Sequence, residues 1–398
     1  MLRAASLLLI FAVAGCATAP REVPVPVRWD LAAAEKAAYR LLDRRGASDG
    51  VRKIAIESRS FRGRETKVFG YLALPAEAAE RPAPGVVLLH GEGGSAFRSW
   101  AEEWAEMGYA ALAIDLCGAI PGGEYGDDEF SGHRRSPVGG PSDCGGRATV
   151  GEAVTDQWPY HAVEAALRAG AVLRGLAEVD AGKVGLVGVD WGGFVAALAA
   201  SVERRFAFAV VDSPRGFVPS PGRRPSENRA WRELWSPWRY LPNARCPLLW
   251  IAETNDAEFP VDVLGRARGS AAAAPGRLSI HTRVVRASGV RKDLPREAAG
   301  FADDVTGTGP GFPRCVRTEF RGGTAAATFD LAGREATMAV FAWTTGKGPW
   351  ADRRWKSFPV DLGEDGAVSA PVPEDATGWS FSVFFDGGSV ISSDVGSR

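Results

Sequence analysis

The strongest constraint on the fold is the segment VGLVGVDWGGFVAALAA, residues 184–200. It passes from an apolar strand through a glycine-flanked turn into an apolar helix. A continuous apolar strand is typical of a mainly parallel sheet that is buried on both faces. Asp190 stands at the apex of the turn, between Gly188 and Gly192. The segment therefore predicts a helix-covered sheet with Asp190 at the carboxyl end of an inner strand.

The surrounding sequence repeats this strand-and-helix alternation. Strand patterns such as PGVVLLHGEGG, AALAIDLCG, FAFAVVD and CPLLWIAET are separated by helical patterns, and DLAAAEKAAYRLLDRR near the N-terminus predicts a further amphipathic helix. Such alternation favours an α/β domain with right-handed crossovers. We predict a doubly wound, mainly parallel sheet over residues 31–314. The composition, with 45% hydrophobic and 24% charged residues, supports a sizeable core.

Two regions depart from this rhythm. Residues 118–155 are rich in Gly, Pro and Asp, and are too long for a plain connection, so we expect a surface or lid-like insert. Beyond residue 314, short strand-like segments such as TAAATFDL and GWSFSVFFD are separated by Gly, Asp or Pro. They predict a small antiparallel β-sandwich over residues 315–398, packed closely on the first domain.

The N-terminus, MLRAASLLLIFAVAGCATAP, has a basic residue followed by an apolar run that is too short to span a bilayer. The residues VAGC resemble a bacterial lipobox. That resemblance implies a signal peptide at 1–15, lipidation of Cys16 and a tether at 16–30. The predicted protein is exported and lipid-anchored in the cell envelope, at the outer membrane or in the periplasm. An ordinary signal peptide cut near ATAP is the alternative.

The net charge and the cysteines limit which partners, disulfides and metal sites we expect. A net charge of −1 gives no electrostatic reason to expect a nucleic-acid partner. Export permits disulfides among the four remaining cysteines, and Cys117 and Cys144, which bracket part of the insert, are the favoured pair. Because no CxxC motif is present, we predict no metal site, and we predict no cofactor.

Several stretches together resemble the α/β-hydrolase fold, and more narrowly the bacterial acetyl-xylan-esterase and dienelactone-hydrolase-like group. They are LLHGEGGSAFRSWAEEWAEMGYAALAIDLCG, VGLVGVDWGG, ETNDAEFP and LPREAAGFAD. The resemblance implies a nucleophile at Asp190, where the family has serine, and oxyanion donors at Gly91, Glu92 and Trp191. It also implies the orienting acid at Asp256, for which a local Asx-type turn is the alternative.

The histidine is missing from this pattern. The family's position falls near Arg286, where we predict no catalysis but an ion pair with Asp190. His281 precedes that position by at least five residues within a strand, so its side chain should face a helix or solvent. We expect structural roles for His90 and for His161. His133, in the insert, is the histidine best able to swing into a site.

Three functions remain open. The first is a catalytically inactive protein that binds a carbohydrate or small ester ligand. The second is an active hydrolase with Asp190 as nucleophile, because VDWGG also resembles haloalkane dehalogenases and epoxide hydrolases. The third is a structural envelope lipoprotein. We favour the first, because a carboxylate beside the oxyanion donors opposes the charge that should develop there, and because the base is also missing.

Overall fold

The computed structural model describes residues 22–43, 50–121, 133–146, 149–219, 224–282 and 293–398. The predicted signal peptide at 1–15, Cys16 and Arg286 lie outside these residues, and the side chain of His133 is not described. Export, lipidation and the Asp190–Arg286 ion pair therefore stay predictions.

The described strands of the large domain form one nine-stranded mixed sheet and a separate two-stranded ribbon of β6 and β7. The strands are β1 (Tyr39–Leu41), β2 (Val51–Phe61), β3 (Arg64–Ala73), β4 (Ala83–Leu89), β5 (Ala110–Ile114), β6 (Ala119–Pro121), β7 (His133–Arg135), β8 (Val179–Val189), β9 (Ala209–Asp212), β10 (Leu248–Glu253) and β11 (Gly276–His281). The order across the sheet is β1-β2-β3-β5-β4-β8-β9-β10-β11. Pairing is parallel from β5 to β11 and antiparallel from β1 to β5.

Helices cover both faces of this sheet. They are α1 (Leu31–Glu35), α2 (Arg98–Glu106), α3 (Trp158–Arg174), α4 (Trp191–Val202), α5 (Pro225–Leu234), α6 (Val261–Ser270) and α7 (Glu297–Thr306). Alternate residues of β4 enter two different apolar cores: Leu89 joins the core under α3 and α4, while Leu88 joins the core under α2 and α7. This confirms the predicted doubly wound, mainly parallel α/β fold. Among the described helices, none combines the length and apolar character needed to cross a bilayer.

The N-terminal segment differs from its prediction. The helix predicted over 30–45 ends at Glu35, and β1 pairs instead with Ile54–Ile56 of β2. The backbone hydrogen bonds gained at the sheet edge outweigh the weak preference of an isolated short helix. The end of the predicted tether is also packed on the domain. Trp29 is buried, stacks on Tyr160 with ring centroids 5.4 Å apart, and donates its indole N–H to the Tyr160 carbonyl at 2.9 Å.

The C-terminal residues form the predicted antiparallel sandwich. Its strands are β12 (Arg314–Arg321), β13 (Thr324–Asp330), β14 (Ala336–Thr344), β15 (Trp355–Val360), β16 (Ala367–Pro371), β17 (Gly378–Phe385) and β18 (Val390–Ser392). One sheet has the order β12-β13-β16 and the other β15-β14-β17-β18. The sandwich packs on the large domain, since the N–H of Ile280 donates to the Ser392 hydroxyl at 2.9 Å and the N–H of Val390 donates to the Glu297 carboxylate at 3.0 Å.

The described part of the insert is fastened above the turn at Asp190. A disulfide joins Cys117 to Cys144, as favoured from the sequence, with their Cα atoms 5.4 Å apart. The next residue, Gly145, has φ +89° and lies so close to the Trp191 indole that a Cβ would clash with the ring. The disulfide therefore holds this part of the insert against the first residue of α4.

Candidate functional site

Asp190 occupies a tight turn between β8 and α4. Its backbone has φ 59° and ψ −119°, a left-handed conformation that residues with a Cβ rarely adopt. Gly188 and Gly192 flank it, and a Cβ on Gly192 would overlap the carbonyl of Leu89. The turn therefore requires these glycines, and it projects the Asp190 side chain beyond the carboxyl end of the sheet.

Both carboxylate oxygens of Asp190 are bound. Oδ2 accepts the backbone N–H of Glu92 at 2.7 Å, and Oδ1 accepts Nε–H of Arg215 in a close ion pair. The Arg215 guanidinium also reaches the Glu92 carboxylate, at 2.8 Å. The carboxylate thus fills the space beside the backbone N–H of Glu92, one of the predicted oxyanion donors.

Arg215 was not identified from the sequence. It follows β9 in the segment DSPRG, and its own N–H donates to the Asp190 carbonyl at 3.3 Å. The chain turns sharply there, with Ser213 at φ 41° and Gly216 at φ 77°. Burial acts to lower the pKa of Arg215, but the charges of Asp190, Glu92 and Glu258 outweigh it and raise the pKa. The available signal was a charged residue three positions after an apolar strand, on the edge that carries the site.

Asp256 lies in the loop after β10, but its described hydrogen bonds are local. Its Oδ1 accepts the backbone N–H groups of Glu258 at 2.7 Å and Phe259 at 3.0 Å. These two bonds form the expected Asx-type turn, and the role of Asp256 as orienting acid stays a prediction. The pKa of the neighbouring Glu258 carboxyl is raised, first by burial and then by the like charges of Asp256, Asp190 and Glu92, against the opposing effect of Arg215.

His90 has a structural environment. Its Nδ1 lies 2.7 Å from the Gly91 carbonyl, and its Nε2 lies 2.9 Å from the backbone nitrogen of Leu116, which donates. These contacts assign the proton to Nδ1 and engage both ring nitrogens with backbone. His90 therefore holds the loop after β4 in place.

His161 and His281 are engaged elsewhere. His161 is buried on α3, where its ring meets Phe61 edge-on at 5.5 Å, and burial lowers its pKa to about 4. His281 ends β11 and faces α7, with Nε2 3.1 Å from the Glu297 carboxylate. Its strand position agrees with the prediction. Among the histidine side chains that the structure describes, none forms a hydrogen bond with Asp190.

One cluster has the residue types of a metal site. His90, Cys117 and Cys144 place their potential ligand atoms within 4.8 Å of one another. The two sulfurs form the disulfide, however, and thiolate is the form of cysteine that binds metals. Because both nitrogens of His90 also bond to backbone, we interpret the cluster as structural.

The site therefore combines a turn suited to a nucleophile with an aspartate whose charge is already neutralised. Gly91 packs against the Asp190 side chain, and a Cβ on Gly91 would lie 2.6 Å from Asp190 Oδ2. Trp191 begins α4 and packs edge-on against Trp158 at 5.5 Å and Trp231 at 5.7 Å. Of the three predicted donors, Glu92 is the one whose backbone N–H a described hydrogen bond joins to the Asp190 carboxylate, and the donor roles of Gly91 and Trp191 stay predictions.

Known proteins resemble this chain in sequence and in structure. The dienelactone hydrolase family model matches residues 68–281. The chain is similar in structure to an acetyl xylan esterase from Paenibacillus sp. R4, with 17% identity, 64% of this chain and 87% of that chain covered, and a TM-score of 0.47. It is also similar to acetyl xylan esterase 1 from Thermoanaerobacterium sp. JW/SL YS485, with 12% identity, 65% of this chain and 88% of that chain covered, and a TM-score of 0.47. An esterase from Pyrococcus furiosus is similar with 16% identity, 67% of this chain and 91% of that chain covered, and a TM-score of 0.39.

No curated protein matches the chain. The family match covers more than half of the sequence, from β3 through the turn at Asp190 to the end of β11. The chain belongs to the dienelactone hydrolase family.

Proposed function

We propose that this protein is a non-catalytic member of its family that binds a ligand instead of hydrolysing it. The observation that carries the proposal is the state of the Asp190 carboxylate, which is bound by the Glu92 N–H on one side and by Arg215 on the other. Ester hydrolysis by this fold requires a nucleophile that attacks and a donor site that receives the new oxyanion. Here one side chain occupies both positions.

The missing base gives independent support. A serine-type nucleophile must lose its proton to a neighbouring group, and a covalent ester on Asp190 would need an activated water for its release. His90 and His281 are engaged with backbone and with Glu297, respectively. Restoring a serine at Asp190 would therefore leave it without a described histidine partner.

A second candidate function is hydrolysis with Asp190 as nucleophile. It is favoured by the hydrogen bond from the Glu92 N–H to Oδ2, because an attacking carboxylate benefits when its other oxygen is held by a donor. Against it, the oxygen left to attack is Oδ1, which Arg215 binds. An ion-paired oxygen must first lose this partner, which weakens it as a nucleophile.

We further propose that the chain is exported and anchored in the cell envelope through a lipid on Cys16. The support is the lipobox-like sequence VAGC. The proposed ligand is a carbohydrate or a small ester, because the sequence resembles the acetyl-xylan-esterase and dienelactone-hydrolase-like group. A purely structural envelope role would apply if no such compound bound.

The test is hydrolysis of short acyl esters and acetylated xylan by the mature protein, beside Asp190→Ala and Asp190→Ser. An active acetyl esterase serves as the positive control. We expect background rates from all three proteins, because no histidine side chain that the structure describes lies beside position 190 to act as a base. Turnover by the wild type that is lost in Asp190→Ala would refute the proposal and establish the second candidate.

Intact-mass measurement after incubation with haloalkane and epoxide probes examines the covalent route separately. The proposal predicts an unchanged mass. An adduct on the wild type that is absent from Asp190→Ala would show that Asp190 attacks carbon. Calorimetric titration with xylo-oligosaccharides and small esters then separates ligand binding from a structural role.

A further inference from the structure

The first described residues of the chain lie at the end of the large domain opposite to Asp190. The helix α4 begins at Trp191, directly after Asp190, and ends at Val202. Its 12 residues separate the two ends by about 18 Å, at 1.5 Å per residue. The first described residues of the chain lie at the far end, where Glu22 is 4.0 Å from Arg204.

Specific contacts hold the segment there. The N–H of Val23 donates to Asn243 Oδ1 at 2.8 Å, and Asn243 Nδ2 donates back to the Val23 carbonyl at 2.7 Å. Val23 and Asn243 also line a cavity of about 290 Å³ together with Ser201 and Val202, the last two residues of α4. These two hydrogen bonds hold Val23 beside the C-terminal end of α4.

The residues of the candidate site share the other end of the sheet. Asp190, Arg215 and Glu258 follow β8, β9 and β10 respectively, and the carboxyl ends of parallel strands meet at one edge. The disulfide-fastened insert lies at this same edge, because Cys117 follows β5 and Gly145 covers Trp191. The body of the large domain therefore separates the site from the point where the N-terminal segment leaves.

We infer that the anchored protein turns its candidate site away from the membrane and toward the aqueous compartment. Glu22 is six positions after Cys16, so the lipid lies within about 20 Å of Glu22 even for a fully extended chain. The attachment point therefore lies at the α4 C-terminal end, and the site lies about 18 Å farther along α4, at the opposite end of the domain. The ligand is accordingly a water-soluble molecule or part of one, not a bilayer lipid. This inference rests on the proposed lipid anchor.

Energy transfer to a membrane dye tests the orientation. The lipidated full chain is reconstituted into phosphatidylethanolamine–phosphatidylglycerol vesicles that carry an acceptor-labelled lipid. A donor is attached through an azide-bearing residue in place of Arg204, at the exit, or of Ser142, on the insert. Both positions are exposed, and neither touches Asp190. We expect a greater loss of donor fluorescence at position 204 than at position 142.

Asn243→Ala supplies the internal control. It removes both hydrogen bonds to Val23 and leaves Cys16 and the candidate site unchanged. The variant should therefore still bind membranes, and the loss of donor fluorescence should differ less between positions 204 and 142. Equal transfer from both positions, or greater transfer from 142, overturns the orientation while the anchor stands. If the lipid-modified chain does not float with vesicles, or if Cys16→Ser floats equally well, the anchor itself is refuted and the orientation falls with it.

Discussion

Removing Arg215 should destabilise the large domain. The size of the loss depends on how exposed the ion pair between Arg215 and Asp190 is. Breaking a fully buried pair costs about 3–5 kcal/mol, and an exposed pair contributes about 0–1 kcal/mol. The Arg215 side chain is 35% exposed and that of Asp190 is 13% exposed. Arg215→Ala should therefore lower the free energy of unfolding by about 2 kcal/mol, between these limits.

The loss arises because Asp190 cannot move away from its turn. Its position is fixed by the backbone between β8 and α4, and the Glu92 N–H remains as its one strong described side-chain partner. Without Arg215, the negative charge of Asp190 lies close to the carboxylates of Glu92 and Glu258. In the wild type the Arg215 charge offsets the repulsion among these three carboxylates. Removing the charge as well, in Asp190→Ala/Arg215→Ala, should restore part of the lost stability.

A double-mutant cycle measures this coupling. Urea unfolding is followed by tryptophan fluorescence, to which Trp191, Trp158 and Trp231 beside the turn contribute. The two single variants and the double variant should give a coupling energy of about 1–2 kcal/mol. Arg204→Ala is the matched control, because its pair with Glu22 is exposed and 4.0 Å long. It should change stability by less than about 0.5 kcal/mol.

Two results would refute this reasoning. If Arg215→Ala changed the free energy of unfolding no more than Arg204→Ala, the pair at the turn would carry no more energy than a surface pair. If the effects of Arg215→Ala and Asp190→Ala were additive, the two side chains would act independently. Either result would remove the argument that Arg215 neutralises Asp190.

Three further predictions concern the same domain. Asp190→Gly should be about 1 kcal/mol more stable than Asp190→Ala in urea unfolding, because glycine adopts φ 59° without the Cβ strain; equal stability would contradict a strained turn. The pKa of His161 is about 4 in the fold against 6.5 for an exposed histidine, so the unfolded chain binds the extra proton first. Stability should fall by on the order of 3 kcal/mol as the pH drops from 6.5 to 4, and His161→Phe should flatten this slope in unfolding curves measured across that range. Cys117→Ser/Cys144→Ser should lose about 3–4 kcal/mol, estimated for a disulfide that closes a loop across 27 residues, and added reductant should then leave its melting temperature unchanged.

The sequence determined the architecture around Asp190. The apolar run of β8, the glycines beside Asp190 and the apolar face of α4 each favour the same strand–turn–helix unit, so local preference and tertiary packing agree. The strands predicted over residues 315–398 had the same advantage, since short alternating segments between turn residues have few other stable arrangements. Agreement between these levels made the fold predictable.

Only the tertiary structure decided what surrounds the Asp190 carboxylate. Arg215 is 25 positions away in the chain, and it reaches Asp190 because β8 and β9 are neighbours whose carboxyl ends meet. The N-terminal helix was overestimated for a related reason: pairing of Tyr39–Leu41 with β2 is a long-range contact that helical periodicity does not encode. Periodicity records which face of an element is apolar, whereas the partner of a charge depends on which strand ends the sheet brings together.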